Sequence, residues 1–181
     1  MVKRANKKEA PKRNFALPII IIKVLLIIAV VAAVAVWYAI THSPTAVVKK
    51  QILNAAELFS KQPSESNAST AFRLIAFENA LDDYVECNVS GFPYNGRESA
   101  NSFASLVFRG RAYPRSIEIT VSAMEVEFPA KNKAEVRCQA KAYIAMDGNS
   151  VNESRLCVIT LCKRDNGWKI AGFKEDTLIK K

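Results

Sequence analysis

Residues 17–40 read LPIIIIKVLLIIAVVAAVAVWYAI, an apolar run interrupted by a single charge, Lys23. Wound as a helix at about 1.5 Å per residue, it would extend roughly 36 Å, more than the roughly 30 Å hydrocarbon core of a bilayer. The run therefore predicts a transmembrane helix. Lys23 lies close enough to the basic end for its ammonium to bend back to the headgroups. Trp37 and Tyr38 fall at the other end, where amphipathic rings favour the interface. Pro18 occupies the first turn, where its missing N–H costs little.

Charge sets the direction of insertion. Lys3, Arg4, Lys7, Lys8, Lys12 and Arg13 precede the run, whereas the first charge after it is Lys49. The positive-inside bias predicts a cytoplasmic N-terminus and an extracytoplasmic C-terminal part, anchored in a cell membrane read as a bacterial inner membrane. A cleavable signal peptide also begins basic and then apolar, but its apolar region is about 7–15 residues long and ends in a small-x-small site. This run is longer and ends in bulky WYAI, which favours an uncleaved anchor. The expected organisation is a basic tail over 1–16, a span over 17–40, a linker over 41–46, a folded domain over 47–175 and a tail over 176–181. Residues 1–42 hold seven Lys or Arg against one acid, and 43–181 hold nineteen against sixteen. The net charge of +9 thus sits mostly in the tail, and the domain has no basic run of the kind that reads nucleic acid.

Beyond the linker, Val48, Ile52, Ala55 and Phe59 recur at helical spacing and predict an amphipathic helix over 47–61. A second helix is predicted over 69–85, with Phe72, Ile75, Leu81 and Val85 apolar. The turn-rich GFPYNG of 91–96 precedes a third helix over 97–109, with Ala100, Phe103, Leu106 and Val107 inward. After Pro114 the apolar period falls to two. Ile117, Ile119, Val121 and Ala123 alternate with polar residues, and the parity then flips to Met124, Val126 and Phe128. One extra residue is what a β-bulge inserts, so a bulge is expected at 123–124. Residues 134–146 alternate again, as a half-buried antiparallel strand does. Asp147-Gly148 suits a two-residue hairpin turn, with the return strand over 151–163. RDNG at 164–167 makes a second turn and 168–173 closes the sheet. Helices followed by an antiparallel meander is an α+β layout.

This order, with DDYVECNVSGFPYNGRESANSFASLVF in the middle and NGWKIAGF at the end, resembles the nuclear-transport-factor-2-like superfamily over about residues 46–175. That is the cystatin-like cone shared with SnoaL and ketosteroid isomerase. The pieces carrying the resemblance are DDYVE at the end of helix two, Gly96-Arg97-Glu98 at the start of helix three, and the polar-Gly-Trp-Lys-Ile closing strand. The resemblance implies three helices packed on a curved antiparallel sheet. It implies no single function, because the superfold hosts enzymes, binders and assembly modules.

Isomerase-like members use a carboxylate base just after helix two, with a Tyr and a protonated acid stabilising the enolate. Here the corresponding position carries Cys87, and Leu156–Cys162 contains no acid. Asp82, Asp83 and Glu86 remain, but at a helix C-terminus they read as solvated surface. His42 is the only histidine and adjoins the apolar run, which excludes triads and His-containing metal sites from the domain. Glycine-rich phosphate loops are absent. The chain is read as non-enzymatic, without metal or cofactor.

The cysteines lack C-x-x-C spacing. A two-residue turn at 147–148 places Cys138 directly opposite Cys157, near the separation a disulfide requires. A disulfide and four small buried thiols both fit. Asn67, Asn88 and Asn152 head N-x-S triplets, which matter only in a glycosylating pathway.

Two functions remain in view. The first is a single-pass membrane protein whose outer domain is an interaction or assembly module, binding protein partners at the membrane or a second copy of itself. Its layout is similar to the inner-membrane assembly proteins of type IV secretion systems and to Mce-associated membrane proteins. The alternative is a binder of a small apolar ligand in the cone, with Tyr84, Cys87, Phe103, Met124 and Trp168 as candidate pocket residues, against the simpler reading that such residues fill the core. An isomerase-like enzyme is the least favoured.

Overall fold

A computed structural model describes residues 28–34, 36–38, 42–90 and 95–176. The expected basic tail, most of the 17–40 span, residues 91–94 of the GFPYNG loop and the tail from 177 lie outside the described residues. Residues 28–34 and 36–38 are helical, with Ile28, Val30, Val31, Val34, Val36, Trp37 and Tyr38 all exposed. Among the described residues, no helix is long and apolar enough to cross a membrane.

From Ser43 onward the chain forms a separate unit, with three helices and six strands among the described residues. The helices are α1 (Pro44–Phe59), α2 (Asn67–Ala80) and α3 (Ala100–Ala112). Each begins the same way. The hydroxyls of Ser43, Ser66 and Ser99 accept from the N–H groups of Ala46, Ser69 and Ser102, each at 3.2 Å. Serine at the N-cap satisfies a backbone donor that the helix leaves unpaired, and Pro44 follows in the first turn where proline fits.

The strands are β1 (Leu81–Asn88), β2 (Gly96–Ser99), β3 (Ser116–Ala130), β4 (Lys133–Met146), β5 (Asn149–Arg164) and β6 (Gly167–Glu175). They form one sheet in the order β2-β1-β6-β5-β4-β3. The meander matches the alternation in the sequence: Gly148 takes φ 81° in the two-residue turn, and Cys138 lies opposite Cys157. The bulge falls where the parity flips, between Ser122 and Glu125, with Ala123 at φ 50°. Positive φ is uncommon for a residue with a Cβ, and here it is the means by which Val121 and Met124 both turn toward the core.

Four expectations are corrected. DDYVECN is strand β1 and not the end of a helix: α2 stops at Ala80, and Val85 and Cys87 bury alternate positions. Gly96-Arg97-Glu98 belongs to β2, so α3 starts only at Ala100. Finally, the sheet is mixed, because β1 follows a helix and enters it parallel to β6. Phe72 and Ile75 of α2, expected among the apolar positions, are 74% and 57% exposed. With its C-terminal turn unwound into β1, α2 packs through Phe77 and Ala80 instead.

Among the described residues, the buried core runs from Val48 to Ile170, with Phe173 packed against it. One end of the helical layer is locked by two cations that exchange roles. Arg111 of α3 donates to Phe59 O and Ser60 O, the carbonyls that end α1, at 2.9 and 2.6 Å. Lys61, just past α1, donates to Arg111 O, Ala112 O and Pro114 O at 3.1, 3.3 and 2.7 Å. Each helix thus has its unpaired C-terminal carbonyls satisfied by a cation from the other's end. Arg111 is only 2% exposed, and its charge is met by Glu65 at 2.5 Å.

Candidate ligand cavity

Between the helices and the sheet lies a cavity of about 310 Å³. Ile52 and Phe59 of α1, Phe77 of α2 and Phe103 and Val107 of α3 form its roof. Its floor comes from Cys87, Val121, Ala140, Cys157, Ile159 and Phe173 on five strands. Two of the lining rings, Phe103 and Phe173, stack on each other, 5.8 Å apart and 14° from parallel. Ala55, Ala56 and Ala140 stand at inward positions where larger side chains would fill the space.

Among the described lining residues, none carries an acid, a base, an amide or a hydroxyl. The polar atoms available from side chains are the thiols of Cys87 and Cys157. Burial pushes both thiols above their ordinary value, with Glu175 adding to the effect at Cys157. They therefore stay neutral near pH 7 and donate weakly. A polar ligand group placed here without a partner would lose about 2–7 kcal/mol of hydration, so the interior favours hydrocarbon.

Of the five candidates from the sequence, Cys87 and Phe103 line this cavity. Tyr84 does not. Residue 84 lies on the outer face of β1, 54% exposed, with the Arg97 guanidinium 4.5 Å above its ring. Met124 is half-buried against the core after the bulge. Trp168 is buried and packs on Phe128 with ring centroids 5.8 Å apart. Neither is among the lining residues. The missed ones had a signal, since Ala140 and Cys157 continue the inward rows of β4 and β5 on either side of the Asp147-Gly148 hairpin.

The acids considered for catalysis are elsewhere. Asp82 is buried and accepts from Arg164 Nε and Nη2 at 2.8 and 2.7 Å. That charged hydrogen bond holds its carboxyl below the usual range. It belongs to a separate polar depression of about 420 Å³ shared with Asp83, Asp165 and Lys169, whose ammonium donates to Asn79 O. Glu86 is exposed on β1. Among the described residues, no group of His, Cys, Asp and Glu is arranged to hold a metal ion. All four thiols are free, and burial drives that of Cys138 up to about 12.

No protein-family model matches the chain, and no curated protein matches it. Solved structures do. One is described as a nuclear-transport-factor-2-like protein with a cystatin-like fold, from Novosphingobium aromaticivorans; it is 13% identical and covers 84% of this chain and 90% of its own, with a TM-score of 0.57. The domain has the nuclear-transport-factor-2-like cone fold. A ketosteroid isomerase-like protein from Erwinia carotovora atroseptica is similar at 14% identity, covering 74% of this chain and 95% of its own, with a TM-score of 0.55. A hexachlorocyclohexane dehydrochlorinase from Novosphingobium barchaimii is similar at 12% identity and TM-score 0.56, covering 73% and 84%. At these identities the likeness carries the cone and leaves its contents to be read from the residues.

Proposed function

We propose that this cone domain binds a small apolar ligand. The observation that carries the reading is the cavity itself: about 310 Å³, walled by aliphatic, aromatic and thiol side chains. That is within the range of small-molecule sites, which run from about 300 to 1,000 Å³. A filled core would leave no such space, since protein interiors pack like organic crystals. A protein of the same fold is named for hexachlorocyclohexane, a compact halogenated hydrocarbon, which supports the reading. Base-catalysed chemistry on the ligand would need a proton acceptor, and the lining residues described offer none beyond neutral thiols.

The test is a neutral fluorescent probe, N-phenyl-1-naphthylamine, titrated into the domain and into Ala140→Phe. Residue 140 lies on the floor of the cavity, so the added ring occupies the ligand's space. Saturable binding that the substitution abolishes, with the fold intact by circular dichroism, supports the proposal. Equal binding to both proteins refutes it.

A second reading, membrane tethering of the domain as an interaction module, is favoured by the helical residues 28–34 and 36–38, whose exposed side chains include Val30, Val31, Val34 and Trp37. An apolar surface on all sides of a helix is characteristic of a membrane-embedded segment. Retention of the full chain in carbonate-washed membranes supports this reading, and release counts against it.

A further inference from the structure

The β3–β4 hairpin ends in Phe128, Pro129, Ala130 and Lys131, all of them exposed. The tip is fixed from beneath. The Phe128 ring packs on buried Trp168, leaving 41% of the residue open, and Lys163 N donates to Asn132 O at 2.8 Å. Phe128, Ala130 and Lys131 line a depression together with Pro44 and Thr45, the first residues of α1. The tip therefore stands where the chain enters the domain. Acids on its two strands are engaged by neighbouring cations, Glu127 by Arg137 at 3.7 Å and Glu135 by Lys133 at 2.8 Å. The Asp147-Gly148 turn lies at the other end of β4, about 45 Å away along the strand at roughly 3.4 Å per residue.

Chain length decides which of these two ends can meet a membrane. In the sequence the apolar run ends at Ile40, and Pro44 follows four residues later. Four residues reach about 14 Å when fully extended. A domain tethered by that run keeps Pro44, and the hairpin tip beside it, close to the bilayer, whereas the 147–148 turn is free to lie far from it. We infer that the tip of the β3–β4 hairpin is a membrane-contact site, seating the exposed parts of Phe128, Pro129 and Ala130 in the interfacial layer while the Lys131 ammonium bonds lipid phosphates. This rests on the tethering reading and adds to it the surface through which the domain meets the bilayer. An aromatic ring is favoured at the interface, and a lysine beside it keeps its stem on apolar atoms and its charge among the headgroups. Pro129 suits the place as well, because it lacks an N–H that would lose its water on entering the interface unpaired.

The experiment places an environment-sensitive NBD fluorophore on the full chain through Ala130→Cys or, at the far hairpin, Asn149→Cys, with the wild-type chain treated alike as the blank for its native thiols. Each protein is reconstituted into vesicles of phosphatidylcholine and phosphatidylglycerol, with and without a lipid carrying a doxyl quencher near the top of its acyl chain. The label at 130 is expected to emit further to the blue and to lose several-fold more intensity to the quencher than the label at 149. Adding Lys131→Glu or Pro129→Asp should return the 130 label toward its emission in water while the chain still floats with the vesicles. Both substitutions leave the Phe128–Trp168 pair in place. Equal quenching at the two positions, or a 130 label that both substitutions leave unmoved, overturns the contact site while tethering stands. A full chain that does not float with the vesicles removes the tethering reading and this inference with it.

Discussion

Replacing Arg111 by Met tests whether the exchanged cations hold the helical layer together. The side chain keeps its volume and its packing on Phe108, whose ring lies 4.9 Å from the guanidinium carbon. It loses the bonds to Phe59 O and Ser60 O and the pairing with Glu65. Glu65 is the costly remnant: its side chain is 4% exposed, and its nearest remaining cation is Arg73, 3.6 Å away and itself partly solvated. Removing one member of a buried pair costs about 3–5 kcal/mol, because the other is left charged and dry. For a domain of this size each kcal/mol lowers Tm by about 3 °C, so the expected fall is roughly 9–15 °C. Thermal melts followed by far-ultraviolet circular dichroism measure the fall in Tm, and urea titration measures the free-energy cost, with the slope of the transition checking that the unfolded state is unaltered. Adding Glu65→Leu should recover more than half of the loss, since no buried charge then remains unpaired and the partly solvated Arg73 keeps its bonds to Glu57 O and Ser60 O. A cost below about 1 kcal/mol for the single substitution, or no recovery in the double, would refute the reasoning.

The Arg164 hydrogen bond holds Asp82 below the usual carboxylate range, so its contribution is complete above about pH 4 and drains away as pH falls through the lower folded value. Asp82→Asn should flatten that part of the acid stability curve, measured by urea midpoints from pH 5 to pH 2. Burial keeps the Cys138 thiol protonated up to about pH 12; in native protein at pH 8 it should resist iodoacetamide and become reactive only on unfolding, as peptide mass spectrometry reports. Ala123 holds φ 50°, a conformation glycine adopts without the Cβ conflict. Ala123→Gly should therefore stabilise the domain by up to about 1 kcal/mol, read as a rise in the urea midpoint, whereas deleting residue 123 should flip the parity of half of β3 and destabilise it.

The sheet was more legible than the helices, for a physical reason. An alternation of period two reports its own faces, so β3, β4, β5 and their bulge could be placed from Ile117, Met124, Val136 and the Asp147-Gly148 turn. The boundary at Ala80 could not. LDDYVECN has apolar residues compatible with either period, and its strand character comes from β2 and β6, partners distant in the sequence. The serine caps at Ser43, Ser66 and Ser99 were legible signals that would have fixed the helix starts. Cys87 and Phe103 could be named as pocket residues because they face inward whichever element they occupy. Tyr84 could not be placed without knowing that residues 81–88 are a strand. Arg111 and Glu65 are 46 residues apart in the chain, and nothing in the local pattern links them.

The bulge in β3 divides the domain into two materials. Ahead of it, Ile119 and Val121 face a hollow; beyond it, Phe128 lies on Trp168, over a row in which Ala134, Val136 and Leu161 are fully enclosed. One strand therefore serves a rigid plug and an empty chamber, with a single left-handed residue at the joint. Substitutions at the plug will be felt as folding defects, and those at the chamber as altered appetite for ligands. A lineage of such domains could revise what it holds by exchanging Val121, Ala140 or Ile159 while the half anchored on Trp168 stays as it is.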